Sequence, residues 1–249
     1  MKKLNGKVAI VTGASKGIGA AIAKEYAAQG ASVVVNYSSS KEGADKVVKE
    51  IIAQDGKAIA IQANVAKSGD VKSLFEETKK AFGRLDILVN NAGVYKFDPI
   101  EEITEEEFHR QFNTNVLGLL LSTREAVKYF DSNGGNIINI SSVVSTNPMP
   151  GSAIYAATKG AVDTITVELS RELASRKIRV NTIAPGGVET EGLHTMGVIG
   201  SDFEKQMISL TPLGRLGQPQ DISKIALFLA SDDAGWVTGE RISGSGGFR

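Results

Sequence analysis

A tyrosine and a lysine stand four residues apart in the second half of the chain, at Tyr155 and Lys159. In a helix this spacing places both side chains on the same face. A phenol titrates at about pH 10 in water, so it exchanges a proton at neutral pH only where a cation stabilises its phenolate. A neighbouring ammonium group is such a cation, and the pair could therefore act as a general acid or base. The commoner use of this spacing is a solvent-exposed pair without chemistry.

Three glycines form a second pattern, at Gly13, Gly17 and Gly19, directly after a short apolar run. Glycines in such a turn let the backbone bend tightly and let a pyrophosphate approach closely. Where a helix follows, its free N–H groups and partial positive charge attract the phosphates. Taken alone, the pattern fits an ordinary glycine-rich turn equally well. Its position between a strand and a helix favours a phosphate-binding turn.

The composition excludes several other kinds of site. The 249 residues include no cysteine, which excludes disulfides, thiolate nucleophiles, iron–sulfur clusters and cysteine zinc sites. The chain has only two histidines, His109 and His194, which are few for a histidine metal site or a serine–histidine triad. We therefore expect no metal. The formal charge is zero, which argues against binding to nucleic acid. No apolar run suggests a membrane span or a signal peptide, so we expect a cytoplasmic enzyme.

The elements that must position these residues alternate along the whole chain. Strands are predicted at 8–11, 32–35, 58–61, 87–89, 136–140 and 178–183, with helices at 17–29, 41–54, 68–82, 104–130 and 152–174. Short strands that are apolar on both faces and separated by helices indicate a parallel sheet covered on both sides. The sequence therefore predicts one α/β domain over residues 1–249, a doubly wound Rossmann-type parallel sheet with helices on both faces.

One segment, residues 186–211, breaks this alternation. It contains five glycines with apolar residues between them and no regular pattern. A long irregular stretch in a compact domain is usually a functional lid or a disordered segment. The apolar content favours a lid over the substrate.

The ordered set of motifs resembles the short-chain dehydrogenase/reductase family. The glycine turn has the spacing Gly-x3-Gly-x-Gly, Asn90-Asn91-Ala92-Gly93 follows the fourth strand, and Tyr155-x3-Lys159 lies on a later helix. The resemblance spans essentially the whole chain, with the motifs in the right order and at the right intervals. It implies an oxidoreductase that acts on CH–OH groups with a nicotinamide cofactor.

The resemblance assigns catalytic roles to four residues. Ser142 would hydrogen-bond the carbonyl oxygen of the substrate, and Tyr155 would protonate that oxygen. Lys159 would assist the phenol and hold the nicotinamide ribose, while Asn115 would hold a water in the proton relay. Ser141 is the alternative to Ser142, which is preferred because the family interval places the serine thirteen residues before the tyrosine.

The resemblance also implies a site for NADP(H). Val188 and Thr190, in a Pro-Gly-x3-Thr segment, would hold the carboxamide and the diphosphate, and Asn64-Val65 stands where the family commonly has Asp-Val beside the adenine. The implied cofactor-binding residues are Gly13, Ser15, Lys16, Gly17, Ile18, Gly19, Asn36, Ser38, Asn64, Val65, Asn91, Ala92, Gly93, Tyr155, Lys159, Pro185, Gly186, Val188 and Thr190.

The end of the second strand favours NADPH over NADH. NAD specialists usually place an acid there for the ribose 2′-hydroxyl, whereas this chain has no acid until Glu42. Lys16 could reach a 2′-phosphate as a point charge, and Ser38 could donate a hydrogen bond to it. If Lys16 is only a solvated loop lysine and Asn36 only ends the strand, both cofactors would be accepted.

The predicted function is NADPH-dependent reduction of a ketone, such as a 3-oxo compound, to a secondary alcohol. The alternatives are a reductase of carrier-protein-bound 3-oxoacyl groups, a sugar dehydrogenase and a non-catalytic NADP-binding regulator. The predicted pocket residues are Tyr95, Val143, Val144, Met149, Ile154 and the apolar residues of the lid. The helix at 152–174 is apolar or small over much of its surface, and similar proteins form tetramers through it, so we expect a homotetramer.

Overall fold

A seven-stranded parallel sheet forms the centre of the computed structural model, which describes residues 2–248. The strands are β1 (Val8–Val11), β2 (Ser32–Tyr37), β3 (Lys57–Gln62), β4 (Ile87–Asn90), β5 (Gly135–Ile140), β6 (Ile178–Pro185) and β7 (Arg241–Gly244). Their order across the sheet is β3-β2-β1-β4-β5-β6-β7. Successive strands are added on one side of β1 as far as β3 and then on its other side from β4, so the strand order reverses between β1 and β4. In open α/β sheets, ligands bind at such a reversal, beyond the carboxyl ends of the strands.

Nine α-helices occur within the described residues. They are α1 (Gly17–Ala28), α2 (Lys41–Ile52), α3 (Ser68–Phe82), α4 (Glu105–Phe112), α5 (Gly118–Tyr129), α6 (Ala153–Glu172), α7 (Glu191–Thr195), α8 (Asp202–Ser209) and α9 (Pro219–Ala230).

The sheet separates two hydrophobic cores because its strands are apolar on both faces. One face packs against α1, α2 and α9, with Tyr26, Val47 and Leu229 buried there. The other face packs against α3 and α5, where Phe75 and Ala126 are buried. The predicted doubly wound parallel sheet with helices on both faces is therefore confirmed. The first and last residues of the predicted domain, Met1 and Arg249, lie outside the described part of the chain.

The helix predicted over residues 104–130 is three elements in the structure. Between α4 and α5, residues Asn113–Leu117 form a π-helical turn with Asn115 at its centre. Such turns insert one extra residue into a helix and are frequent at functional sites. The segment 186–211, which was predicted to be irregular, contains the short helices α7 and α8 in the structure.

Two elements near the carboxyl end, α9 and β7, were not predicted. The signals for α9 are present in the sequence, since Pro219 stands in its first turn and Gln218 and Asp221 form a capping box. The strand β7 is short and only half-buried, so its apolar pattern is weak.

Over residues 2–248, no helix combines the length and the apolar character that crossing a membrane requires. The same residues contain no group of three or more His, Cys, Asp or Glu side chains arranged to hold a metal ion.

Candidate active site

The glycine turn after β1 packs directly on the segment after β4. A side chain at Gly13 would place its Cβ 2.8 Å from the Cα of Ala92, and Gly13 has a left-handed φ of 61°. A Cβ at Gly19 would collide with the amide nitrogen of Asn91. That amide donates to the carbonyl oxygens of Thr12 at 2.8 Å and Gly13 at 3.0 Å. The two motifs therefore form one unit at the carboxyl edge of the sheet.

The amino end of α1 faces the opening of this unit. No side chain caps the helix, and its first turn contains no acidic residue, so the first N–H groups and their partial positive charge remain available to an anion. A Cβ at Gly17 would lie 3.4 Å from Cγ2 of Thr190, which brings the predicted Pro-Gly-x3-Thr segment against the helix start. These residues fit a diphosphate, because close backbone approach and unpaired N–H groups are what it requires.

Asn36, at the end of β2, is only 1% exposed and its side chain is used within the protein. Its Oδ1 accepts a hydrogen bond from the Gly13 N–H at 3.2 Å, and its Nδ2 donates to the carbonyls of Ile61 at 3.3 Å and Ala63 at 3.1 Å. The side chain thus ties the glycine turn to β2 and β3. The predicted cofactor residues Lys16 and Ser38 are exposed at this edge, whereas Asn36 lies beneath it.

Asn64 and Val65 hold the turn after β3. The Asn64 Oδ1 accepts from the Ala66 N–H at 3.0 Å, and the Asn64 N–H donates to the carboxylate of Asp70 at 3.0 Å. Val65 is buried against Gly118, where an added Cβ would lie 2.7 Å from its Cγ2. The structure therefore places both predicted residues at the edge of the site and shows a structural use for each.

Tyr155 and Lys159 lie on α6, with the Lys159 Nζ 5.6 Å from the centroid of the Tyr155 ring. Lys159 is 5% exposed, and its ammonium donates a 2.8 Å hydrogen bond to the carbonyl of Ile140, the last residue of β5. Gly93 borders the same space, since a Cβ there would lie 3.6 Å from the Lys159 Nζ. The strand end, the segment after β4 and α6 therefore converge on this pair.

Burial changes the titration of both groups. It raises the pKa of Tyr155 to about 12, against the neighbouring Ser142 hydroxyl, which lowers it. Burial lowers the pKa of Lys159 to about 8, while the carboxylate of Asp163 raises it. At neutral pH the phenol is therefore protonated and can act as a proton donor. Its pKa lies above that of a free phenol, so the expectation that Lys159 brings the phenol toward neutrality is not met in the structure.

The two candidate serines after β5 have different surroundings. Ser141 is buried, and its hydroxyl donates to the carbonyl of Lys159 at 3.3 Å. Ser142 is half-buried and its hydroxyl lies beside the Tyr155 phenol, where it also accepts from the Val144 N–H at 3.3 Å. This placement favours Ser142 over Ser141 as the residue that meets a substrate.

Asn115 joins the π-helical turn to its surroundings through both ends of its amide. Its Oδ1 accepts from the Val94 N–H at 2.8 Å, and its Nδ2 donates to the Val94 carbonyl at 2.8 Å and to the Thr158 hydroxyl at 3.0 Å. A cavity of about 10 Å³ lies beside it and is lined in part by Lys159 and Ser122. That volume suits one water molecule. The buried Ser122 hydroxyl has no hydrogen-bond partner among the described residues.

Aromatic side chains cover the outer side of Tyr155. The ring centroids of Tyr95 and Phe97 lie 5.7 Å and 5.9 Å from that of Tyr155, and both side chains are 37% exposed. We call Tyr95, Phe97 and Tyr155 the aromatic wall. Tyr95 was among the predicted pocket residues, but Phe97 was missed because nothing in its sequence spacing relates it to Tyr155.

Arg241 is a further residue of the site that the sequence does not reveal. Its guanidinium pairs with the carboxylate of Asp163 on α6 and hydrogen-bonds the backbone carbonyl of Ser142. A single arginine on a short strand gives no local signal of such a contact.

Comparisons with known proteins find similar oxidoreductases. Residues 13–249 match the family model described as enoyl-(acyl carrier protein) reductase. An uncharacterized oxidoreductase of Methylorubrum extorquens is 59% identical over 249 residues, which cover 100% of both chains. A hydroxynaphthalene reductase-like protein of Metarhizium majus is 42% identical, with 99% of this chain and 96% of that protein covered. The angucycline C-6 ketoreductase LanV, solved with bound NADP, is 37% identical with a TM-score of 0.93, covering 99% of this chain and 96% of that one.

Proposed function

Because the chain belongs to the short-chain dehydrogenase/reductase family of oxidoreductases, we propose that it uses NADPH to reduce a ketone to a secondary alcohol. The observation that carries the proposal is the pairing of the half-buried Tyr155 with the buried Lys159 beside Ser142, at the sheet edge that also holds the glycine turn. A protonated phenol next to a serine hydroxyl is suited to a carbonyl oxygen that must gain a proton.

The chain offers a place for each part of the cofactor, which supplies the hydride when bound. The free N–H groups at the start of α1 would hold the diphosphate together with Thr190. Lys16 and Ser38, exposed at the end of β2, would bind a 2′-phosphate. Asn36 lies at the same strand end, but its side chain hydrogen-bonds the backbone of Gly13 and Ala63. It therefore supports the glycine turn and does not contact the ligand.

The positions of three side chains suggest how the proton is transferred. Ser142 would hold the carbonyl oxygen by a hydrogen bond, and Tyr155 would transfer its phenolic proton to that oxygen as the carbon gains the hydride. The Lys159 ammonium would stabilise the phenolate that remains, because it is buried and lies 5.6 Å from the centroid of the Tyr155 ring. The cavity beside Asn115 and Lys159 is a suitable place for a water that returns the proton.

The aromatic wall supports a planar, partly apolar ketone as substrate. Tyr95 and Phe97 are half-exposed rings beside the phenol, and rings of this kind stack on flat substrates. The names of the related hydroxynaphthalene reductase-like protein and of the angucycline ketoreductase point to ketones of the same kind.

A carrier-protein-bound 3-oxoacyl substrate is the second candidate. A carrier would be attracted by free basic residues near the entrance, but Arg124 and Lys128 both pair with the buried carboxylate of Glu125, at 3.1 Å and 2.9 Å. One carboxylate therefore compensates one of these two positive charges and leaves a single charge for a carrier. We rank free ketones first and sugars last.

We also propose that residues 186–211 act as a lid and that the protein is a homotetramer. The hydroxyl of Tyr95 lies so close to Gly192 in α7 that an added Cβ would be 2.7 Å away, which joins the segment to the aromatic wall. Exposed apolar side chains on α5 and α6, Leu120 at 39% and Val167 at 40%, support association through these helices.

A panel of carbonyl compounds tests the proposal. NADPH oxidation would be followed with a bicyclic aromatic ketone, an acyclic 3-oxo ester, a 3-oxoacyl thioester and a keto sugar, and kcat/KM compared. We expect the aromatic ketone to give the highest value. Tight binding of NADPH without turnover of any member would contradict the proposal and favour the non-catalytic regulator.

A further inference from the structure

Arg241, the first residue of β7, connects two parts of the active site that no other described side chain joins in this way. Its Nε donates to the Asp163 carboxylate at 2.9 Å, and its Nη2 donates to the Ser142 carbonyl at 3.2 Å. Asp163 lies on α6 one turn beyond Lys159, and Ser142 is the serine beside the phenol. The guanidinium is 24% exposed and the carboxylate 18%, so solvent screens the pair only partly.

The same guanidinium holds the turn that follows Ser142. The Nη2 atom also approaches the hydroxyls of Ser145 at 3.1 Å and Thr146 at 3.2 Å. Ser145 ends the 3-10 turn Val143–Ser145 that follows β5, and Thr146 comes directly after it. The fixed fork of an arginine is well suited to tie this turn to β7. Hydrogen bonds within the turn, such as that from the Ser145 N–H to the Ser142 carbonyl at 3.1 Å, keep its local shape. Loss of the fork would remove the side-chain contacts that fix this turn relative to β7 and α6.

The charge of Arg241 matters as well as its shape. Asp163 raises the pKa of Lys159, and one of its oxygens, Oδ1, is buried without a partner among the described residues. From the other elements that meet Lys159, β5 contributes the neutral carbonyl of Ile140 and the π-helical turn contributes the neutral amide of Asn115. The titratable side chain that faces Tyr155 is Tyr95, whose phenol raises the pKa of Tyr155. Asp163 is the charged side chain that acts on Lys159, and Arg241 acts on the pair through its ion pair with Asp163.

We propose that Arg241 is a positioning residue of the active site: it fixes the backbone of Ser142 and neutralises Asp163 beside Lys159. The proposal rests on the proposed function, because it assumes that Ser142, Tyr155 and Lys159 act on a carbonyl. It predicts two separable effects, one on the position of Ser142 and one on the titration of the Tyr155–Lys159 pair.

Removal of the positive charge disfavours the loss of a proton from the pair. The acidic limb of the pH profile for alcohol oxidation, which requires the deprotonated phenol, therefore moves to higher pH in Arg241→Met, by about one pH unit. The loss of the fork lowers kcat by about 10- to 100-fold, since displacement of a reacting group by about 1 Å has effects of that size.

Three further variants separate charge from position. Arg241→Lys keeps the charge, so its pH midpoint stays near that of the wild type while kcat falls. In the double variant Arg241→Met with Asp163→Asn, both charges are absent. The midpoint of its pH profile therefore returns to the wild-type value, while kcat remains low. Arg84→Met is the matched control, because it removes a guanidinium from the buried carboxylate of Asp86 at the opposite edge of the sheet. That control lowers Tm without moving the midpoint.

Crystal structures of Arg241→Met and Arg84→Met give a readout that needs no turnover. Residues 142–146 should be displaced in the first variant and unchanged in the second. An unchanged turn in Arg241→Met, or a pH midpoint that moves equally in the methionine and lysine variants, overturns the proposal. Absence of turnover in the wild-type enzyme would count against the proposed function alone, because the displacement of the turn is still measured.

Discussion

The ammonium group of Lys159 is held by the carbonyl of Ile140 at 2.8 Å, and this bond fixes it 5.6 Å from the ring centroid of Tyr155. The end of a strand thus sets the distance between two side chains of one helix. A charge in a buried site acts strongly on its neighbour, since solvent screens it little. The position of this ammonium group therefore depends on the sheet as much as on the helix.

Replacement of Tyr155 by phenylalanine removes the proton donor and keeps the ring. We expect NADPH binding to survive and kcat for ketone reduction to fall by about 100-fold or more, since a general acid contributes that much. Tyr129→Phe is the matched control, because this phenol lies on α5 and packs on Phe75 away from the site. Steady-state kinetics and cofactor fluorescence measure the two effects, and a normal kcat would show that another group is the acid.

Replacement of Lys159 by methionine should raise stability while it abolishes activity. Burial lowers the pKa of Lys159 from 10.5 to about 8, so the folded protein holds its charged form at a cost below pH 8. We expect Lys159→Met to be more stable than the wild type by about 1–2 kcal/mol at pH 7, after allowance for the lost bond to Ile140.

The pH dependence of this difference provides the check. The unfolded chain binds more protons than the folded one between about pH 8 and 10.5, so the stability of the wild type rises through this range relative to the variant. Urea unfolding of both proteins should show a smaller difference in the free energy of unfolding at pH 10 than at pH 7. A wild type that is the more stable protein at pH 7 would contradict the prediction.

Lys16 and Ser38 should set the choice of cofactor. We expect Lys16→Ala to raise KM for NADPH about 10-fold and KM for NADH less than about 2-fold, because only the former carries a 2′-phosphate. Ser38→Asp should move the preference toward NADH. Lys67→Ala, at another exposed lysine before a helix, serves as the control.

The obvious alternative, Asn36→Asp, is a poor test of the same question. Its Nδ2 donates to the carbonyls of Ile61 and Ala63, and a carboxylate there would lose both bonds and face two acceptors. We expect this variant to lose about 1–3 kcal/mol of stability before it reports on the cofactor. Should the unmodified enzyme prefer NADH by kcat/KM, the assignment of Lys16 and Ser38 is wrong.

Gly192 should limit the position of Tyr95. A methyl group at Gly192 would lie 2.7 Å from the Tyr95 hydroxyl, so Gly192→Ala must move either the ring or α7. We expect KM for an aromatic ketone to rise about 10-fold with NADPH affinity unchanged. Tyr95→Phe removes the colliding oxygen, and the double variant should recover most of the loss. A double variant as impaired as Gly192→Ala would exclude this contact as the cause.

Association of the chains should be visible by light scattering. At micromolar concentration we expect a mass of about four times the 26.3 kDa of one chain. Leu120→Arg, which places a charge on an exposed apolar position of α5, should lower this mass. The exposed Ile52→Arg on α2 is the control and should leave the mass unchanged.

The sheet and the glycine turn can be predicted from the sequence because both have local signals. Apolar runs define β1 to β6, and Gly13, Gly17 and Gly19 follow the first of them. The contacts of Arg241 with Ser142 and of Tyr95 with Gly192 have no such signal, since each joins segments about 100 residues apart. The burial of Asn36 has none either, because the turn above it is formed by another part of the chain.

The contact between Gly13 and Ala92 limits how this enzyme can be redesigned. The two residues are 79 positions apart, yet a Cβ on Gly13 would lie 2.8 Å from the Cα of Ala92 and could be added only by displacing that backbone. Libraries that vary the glycine turn to change cofactor preference should therefore hold Ala92 fixed, and libraries that reshape the segment after β4 should hold Gly13 fixed. Variation is better placed at Lys16 and Ser38, which are exposed and can change without moving the sheet edge.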